Sequence, residues 1–452
     1  MDQAFQEIAR QLRAAPASMG HTKRLMERWR AEPEFAAGVS LAAEALPVRF
    51  GERLIGAAEL AAFERHSLDA GRLVGEWRRL GEAPHPRIAA WRARQMRRAR
   101  WELGGDEAQG LVHAPMSFEL SRGCSVRCWF CGVGARPFGG SHPYDEQTAA
   151  QWRAMLAVLV EFFGPATAFG FLYWATDPLD NPDYERFMLD FHAATGYWPQ
   201  TTTALALRDV ARTRRLLRLS AEHGGIRDRF SVLSRGLFHR IHAEFSPEEL
   251  LHVDLVPQFN DEAVPKALAG AARERALRKQ AAAPDPPASG TIACVTGFLF
   301  NLIDRTAKLI SPCTATARWP LGYMIFDEFN YSDAADLRAR IAACIATRMP
   351  TAVSAASTMR FAPIWQVEDR TAGGFALRSR HWRLSFEKIE AAEDLARRVE
   401  EGTDTAGEIA AARRVERRID PVQTFRALNQ LFQRGVLLEE TTPEPLVPLS
   451  IR

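Results

Sequence analysis

The sequence predicts an α/β protein with a helical region before it and a small α+β domain after it, and three observations predict this. Between about 112 and 260, short apolar strand candidates alternate with stretches of helical periodicity, the pattern of a parallel sheet with crossover helices. Residues 1–110 read as helical, and residues 371–452 mix strand-like and helical stretches. A chain of 452 residues has room for about three domains at ~150 residues each.

In the first region, Ala4, Ile8, Leu12 and then Leu25, Trp29 recur at helical spacing, and Glu32-Pro33-Glu34-Phe35 breaks and restarts the pattern. Arg92, Arg94, Arg97, Arg98 and Arg100 then form a dense basic run that reads as a solvated helix face. In the core region, 111–330, the strand candidates are Met116–Leu120, Ala168–Tyr173, Trp198–Thr203, Phe230–Leu233 and Val253–Phe259. Helical stretches lie between them at Gln147–Phe163, Tyr184–Ala194 and Asp209–Glu222, the last stopped by Gly224. Residues 265–290, rich in Ala, Arg and Pro, read as a linker or excursion. A hairpin over Ile292–Asp304 and Ala307–Ser311 ends the core, and the connecting region 331–370 opens on a helix over Ser332–Thr347. In the last domain Phe375–Phe386 is strand-like. Thr405 to Glu408 is a capping box, Asp420-Pro421 starts a helix that stops at Gly435, and Val436–Leu438 is a strand candidate.

Composition narrows the function classes. With 47% hydrophobic and 25% charged residues, the chain is neither disordered nor collagen-like nor a disulfide-stapled miniprotein. A net charge of +3 does not argue for nucleic-acid binding, and none is expected. The stretch Met1–Ala14 carries charges and has no apolar signal core, and no run of 18 apolar residues occurs. A cytoplasmic chain with reduced thiols and no membrane partner is the expectation.

Six cysteines are spread over the chain, and three fall together in Gly123-Cys124-Ser125-Val126-Arg127-Cys128-Trp129-Phe130-Cys131. Three soft thiolates on one loop, directly after the first strand, suit zinc, copper or an iron–sulfur cluster. A structural zinc site wants four ligands in two pairs, and His142 is the nearest further candidate, without a paired partner. A 4Fe–4S cluster on three cysteines leaves one iron open for chemistry.

Cys-x3-Cys-x2-Cys with an aromatic before the third cysteine, after the first strand of a β/α unit, resembles the radical S-adenosylmethionine superfamily. The resemblance implies a partial (β/α)6 barrel, a 4Fe–4S cluster on Cys124, Cys128 and Cys131, and S-adenosyl-L-methionine on the open iron. Cleavage of that cofactor to a 5′-deoxyadenosyl radical then starts hydrogen abstraction from substrate. Thr176 and Asp177, after the second strand, stand where the superfamily's Gly-Gly-Glu-Pro-type segment takes the cofactor's amino group, although both glycines are absent. Ser231 and Ser234 stand where a ribose contact is expected.

The longer strings Phe118 to Ala135, Tyr173 to Pro178, Lys308 to Cys313 and Arg318 to Tyr323 resemble the peptide epimerases of the polytheonamide type, over roughly residues 112–330. These convert L-residues to D-residues in ribosomally made peptides. The partners implied are a precursor peptide of leader and core and a reducing protein such as flavodoxin or ferredoxin. Inverting a Cα radical requires a hydrogen from the opposite face, and a thiol is the natural donor. Cys313, where a strand runs into the polar Thr314, Thr316 and Arg318, ranks first, then Cys294, then Cys344, whose helical surroundings suit packing. Another peptide modification, C-methylation or cross-linking, is the alternative reaction. A zinc- or cluster-binding module is the non-enzyme alternative. The domain 371–452 resembles winged-helix modules that bind a leader as an added strand.

Overall fold

The structure, a computed structural model, describes residues 3–80, 82–261, 264–279, 290–439 and 441. Mixed α/β architecture is what the sequence foresees, and the chain falls into two compact units. Unit 1 is 1–82, 114–267 and 300–305; unit 2 is 83–113, 268–299 and 306–452. The expected boundaries near 110, 330 and 370 do not follow this division, because the chain passes from one unit to the other and back more than once.

Unit 1 begins with α1 (Gln3–Arg13), α2 (Met19–Ala31), α3 (Pro33–Gly38), the hairpin β1 (Val48–Phe50) and β2 (Arg53–Ile55), and α4 (Ala57–Leu80). Gly20 of α2 sits so close to the backbone at Pro247, far along the chain, that a Cβ there would come within 2.2 Å of the Pro247 carbonyl oxygen. β3 (Ala114–Glu119) is buried at five of six positions. It is followed by α7 (Glu146–Phe163), whose N-cap Asp145 and Thr148 form a capping box. Trp152 of α7 packs edge-on against Phe118 of β3 at 5.0 Å and donates its indole N–H to the Phe187 carbonyl at 3.2 Å.

The strand expected over Ala168–Tyr173 is a correction. Gly164-Pro165 starts a 3-10 turn over Gly164–Phe169, and only Phe171 pairs with β3, as a single parallel bridge to Ser117. A short apolar run does not tell strand from tight helix by periodicity. After α8 (Tyr184–Thr195) come β4 (Thr202–Thr203), α9 (Val210–Glu222), β5 (Asp228–Val232), α10 (Arg235–Glu244) and β6 (Val253–Pro257). β4, β5 and β6 form one parallel sheet in that order, with β6 at an edge. Phe230, Val232, Phe238, Ile241, Val253 and Leu255 make its core.

The stretch Glu146–Phe169 is long and apolar enough to cross a membrane by length and composition, which the sequence reading had not foreseen. Its Trp152, Leu156, Leu159 and Phe163 are buried, as in the core helix of a globular fold.

Unit 2 is built around α5 (Pro86–Leu103), followed by α6 (Gly105–Gly110). Here the solvated arginine face is corrected: Arg92, Arg94 and Arg98 are buried. Each has a built partner set. Arg92 donates to the His113 carbonyl at 2.8 Å. Arg94 forks onto both oxygens of Glu439 at 2.7 and 2.9 Å and lies 3.9 Å over the Phe432 ring. Arg98 pairs with Glu102 at 2.7 Å and donates to Ser311 Oγ at 3.0 Å. A charge pattern in sequence does not report whether partners arrive from far along the chain.

Residues 265–290 are not all linker, for α11 (Gly270–Lys279) is a helix; 280–289 lie outside the described residues. β7 (Val295–Asn301), β8 (Thr306–Pro312) and β9 (Tyr323–Asn330) lie side by side, β8 and β9 antiparallel, and α12 (Ala334–Arg348) follows, capped by Asp333. β9 has no counterpart in the sequence reading. The C-terminal fold has β10 (Gln366–Glu368), β11 (Gly374–Arg378) and β12 (Arg383–Glu387) as an antiparallel sheet, then α13 (Ala392–Glu401), α14 (Ala406–Arg417) and α15 (Pro421–Arg434). Its core reaches back to Met359, Phe361 and Trp365 and includes Trp101 of α5. Val436–Leu438 contributes a single bridge, Leu437 to Phe361.

Candidate functional site

The loop after β3 folds back on itself. Arg122 N–H donates to Gly140 O at 2.8 Å, Cys124 N–H to Arg136 O at 2.8 Å and His142 N–H to Leu120 O at 2.9 Å. This presents residues 125–135 as a tip that carries Cys128 and Cys131, with Cys124 at its base. Gly123 is required at the fold-back: its φ is 71°, and a Cβ would come within 2.3 Å of Pro137 O.

All three thiols are partly exposed. Burial pushes the Cys128 thiol up to about 12, helped by neighbouring Cys131 and Cys124 and by Asp177. Burial also raises Cys124, against backbone N–H groups of Val126 and Arg127 that favour its thiolate. The Ala135 N–H points at Cys131 Sγ at 3.4 Å. The donor set, three mutually close thiols supplied with backbone N–H groups, fits a thiolate-ligated iron–sulfur cluster, whose sulfurs are commonly hydrogen-bonded in this way. Among the described residues no three His, Cys, Asp or Glu side chains are gathered to hold a single metal ion. A cluster needs no such convergence, since each thiolate takes its own iron.

What fixes this loop lay outside the sequence reading. Asp180, its carboxylate 2% exposed, accepts from Ser125 N–H at 2.8 Å and Ser125 Oγ at 2.6 Å. Arg208 binds the same carboxylate at 2.8 Å. Asn181 donates to Leu120 O at 2.8 Å and His142 O at 2.9 Å, at the root of the loop. Arg212 holds the segment from the other side, at Leu179 O (3.1 Å) and Asn181 O (2.6 Å), and is itself paired with Glu185 at 2.7 Å. Thus the turn 176–181 clamps the cysteine loop to the end of β4. Its polar residues were legible, but their contacts 55 residues back were not.

The expected cofactor contacts fare differently. Thr176 and Asp177 are buried beside this clamp. Asp177 accepts from Thr203 Oγ1 at 2.7 Å, Ala204 N–H at 2.7 Å and Leu179 N–H at 3.0 Å, so both its oxygens are spent on holding the turn. Burial raises its carboxyl to about 6, against those three donors. Ser231 is half-buried in β5. Ser234 is exposed and caps α10, accepting from Leu237 N–H at 3.1 Å, an ordinary helix start.

The three remaining cysteines belong to unit 2. Cys313 corrects the picture of a thiol entering a polar loop: it is 0% exposed, and burial raises it well above the usual thiol range, with Glu102 adding and Arg98 opposing. α5 covers the strand end, with Arg98 donating to Ser311 Oγ and the Thr314 N–H donating to Glu102 at 2.8 Å. Cys344 is buried too, its thiol raised by burial and by Asp327. Cys294 is only partly buried, beside Ala99, Leu103 and Leu111. On access, Cys294 precedes Cys313.

No protein-family model matches the chain. The uncharacterized protein y4wI of Sinorhizobium fredii (strain NBRC 101917 / NGR234) is 40% identical over 365 residues, 79% of this chain and 69% of that protein. The chain belongs to the family of y4wI. A solved structure of BtrN in complex with AdoMet and 2-DOIA is similar over 31% of this chain and 55% of that one, at 15% identity and a TM-score of 0.24. A likeness that slight bears no weight for fold or function.

Proposed function

We propose that this member of the y4wI family is a radical S-adenosylmethionine enzyme that epimerises residues of a ribosomally made peptide. The observation that carries the reading is the Cys124, Cys128, Cys131 loop at the end of the first parallel strand, clamped by Asp180. The parallel bridge between β3 and Phe171 and the separate parallel sheet β4, β5, β6, with helices between, support a β/α arrangement around it. Bound to the three thiolates, a 4Fe–4S cluster with S-adenosyl-L-methionine supplies a 5′-deoxyadenosyl radical for Cα hydrogen abstraction. The chain's own part is to hold the thiolates in register, through Asp180 and Asn181, and to return a hydrogen from a thiol. The three-stranded sheet β10–β12, with β12 at one edge, offers a place for a leader to add a strand.

Anaerobic reconstitution is expected to load about four irons and four sulfides per chain, the content of one such cluster. Under reduction, 5′-deoxyadenosine is then released, and Cys124→Ala, Cys128→Ala or Cys131→Ala abolishes both. Zinc in place of iron defeats the reading. With its precursor in deuterated water, each modified residue gains about one deuteron from an exchangeable thiol. A gain of one methyl or a loss of two hydrogens instead moves the reaction to methylation or cross-linking.

The donor is separable from the cluster. Cys294→Ala is expected to keep cofactor cleavage and lose D-residues from the hydrolysed product, while Cys313→Ala keeps both because its thiol is enclosed. The reverse result restores Cys313 as donor, and D-residues from all three single variants, Cys344→Ala included, mean the donor is no cysteine.

A further inference from the structure

The loop that carries Cys124, Cys128 and Cys131 has an outer face that the proposed chemistry leaves unused. Arg127 and Trp129 stand on its tip, one on each side of Cys128, and Arg136 and Phe138 stand on the segment that returns beside it. All four are exposed, Trp129 by 49% and Phe138 by 42%. The returning segment lies against the base of the loop: Cys124 and Pro137 form a parallel bridge, and Gly139 N–H donates to Arg122 O at 2.7 Å. The four side chains thus belong to two touching arms of one loop, within unit 1.

The charge of this face is one-sided. From Leu120 to Tyr144 the chain holds three arginines and no Asp or Glu. Of the carboxylates that approach the loop from elsewhere, Asp304 is paired with Arg122, Asp180 with Arg208 at 2.8 Å and Asp261 with Lys266 at 3.6 Å, while Asp177 is buried. Lys266 lies 5.1 Å from the centre of the Phe130 ring, so its pair stands at the loop as well. Arg127 and Arg136 form no ion pair and no side-chain hydrogen bond among the described residues. They are the cations left over, beside two exposed aromatic rings. Arginine and tryptophan are the side chains that most often dominate binding at protein interfaces.

A face confined to one loop is too small for a permanent partner and suits a transient one; redox encounters are the small class, below about 1,200 Å². Its position agrees. Arg127 and Trp129 are both adjacent to Cys128 in sequence, and electron transfer falls steeply with distance. We infer that this face docks an acidic one-electron carrier protein, with its carboxylates on Arg127 and Arg136 and its apolar contact on Trp129 and Phe138. One electron then leaves the carrier and enters the cluster, and no atom or proton is transferred. The inference rests on the cluster proposed for the three cysteines.

An acidic flavodoxin is the probe, with a basic cytochrome c and a short DNA duplex as controls, each titrated calorimetrically into the cluster-loaded full chain without oxygen. Oxidised flavodoxin is expected to bind saturably, and about tenfold or more weaker when the salt is raised from about 0.05 to about 0.5 M. Arg127→Glu/Arg136→Glu is expected to weaken it by about tenfold or more, and Trp129→Ala to weaken it as well, in protein that melts like the parent. In stopped flow, reduced flavodoxin should bleach the cluster about tenfold more slowly in the double variant. Photoreduction by 5-deazariboflavin, a small neutral reagent, should proceed alike in both. The inference is overturned if flavodoxin does not bind, if the charge-reversed chain binds and is reduced as the parent is, or if cytochrome c binds as tightly. Tighter binding of the duplex overturns it in favour of a nucleic acid. A chain that loads no cluster removes this inference and the proposed function together, whereas a loaded cluster that 5-deazariboflavin reduces and flavodoxin reaches regardless of Arg127 and Arg136 removes this inference alone.

Discussion

Asp180→Ala is expected to free the cysteine loop and, with the cluster proposed for it, to cost the chain its iron loading. The carboxylate joins Ser125 N–H, Ser125 Oγ and Arg208 in one buried node, and its removal leaves three donors without their acceptor. Hydrogen bonds to a charged group contribute about 1.5–3 kcal/mol each, and Arg208 is 44% exposed, so a loss of roughly 3 kcal/mol in stability is the expected scale. The larger effect is local. With the loop released, the thiols of Cys124 and Cys128 relax toward ordinary acidity, and each unit by which the pKa falls raises the thiolate fraction roughly tenfold at a fixed pH below it. Anaerobic modification by a disulfide reagent, followed by mass mapping, should therefore show these cysteines reacting at least about tenfold faster than in the parent. Iron per chain after reconstitution should fall by more than half, and Asp180→Asn, which keeps one acceptor, should lie between. Unchanged thiol rates together with full iron loading would show that the clamp does not position the loop.

Arg94→Ala is expected to be the most destabilising single change in unit 2. Its guanidinium is fully buried, forked onto Glu439 and stacked on Phe432, and Gln95 Nε2 adds a 2.7 Å bond to the same carboxylate. Removing one member of a buried pair costs about 3–5 kcal/mol, because the partner charge stays in place without compensation. For a unit of this size that is a fall in melting temperature on the order of 10 °C. The double variant Arg94→Met/Glu439→Leu should recover most of it, since an apolar pair of similar volume avoids the desolvation cost. A melt shifted by less than about 2 °C in the single variant would place the pair among surface-like contacts.

Legibility in the sequence followed the range of the interactions. Helices α7, α9, α14 and α15 were readable because each is announced by a local cap, Asp145, Asp209, Thr405 and Asp420, whose side chain binds a backbone N–H within three residues. That the three cysteines share one loop after β3 was readable for the same reason, since they lie within eight positions of one another. What stayed hidden depended on distant partners. The arginines of α5 looked solvated because, Glu102 apart, their partners are not nearby in sequence; Glu439, the Gln433 carbonyl and Ser311 lie more than 200 residues on. Asp180 looked like one more polar turn residue, for its partners Ser125 and Arg208 stand on other loops. Cys313 looked accessible because Thr314 and Thr316 follow it, whereas its enclosure comes from α5.

The place of α5 has a consequence for synthesis of the chain. Arg94 leaves the ribosome 345 residues before Glu439, the carboxylate it folds onto. At translation speeds of about 5–20 residues per second, that is an interval of roughly 17–70 s. Throughout it, a helix carrying buried arginines, Trp91 and Trp101 has no completed surface to dock on. Unit 1 has nearly all its residues by 267 and is free to collapse first, whereas unit 2 closes only once α15 and Glu439 have emerged. A nascent chain stalled anywhere before α15 would expose the apolar side of α5, which makes that helix a natural segment for a chaperone to cover.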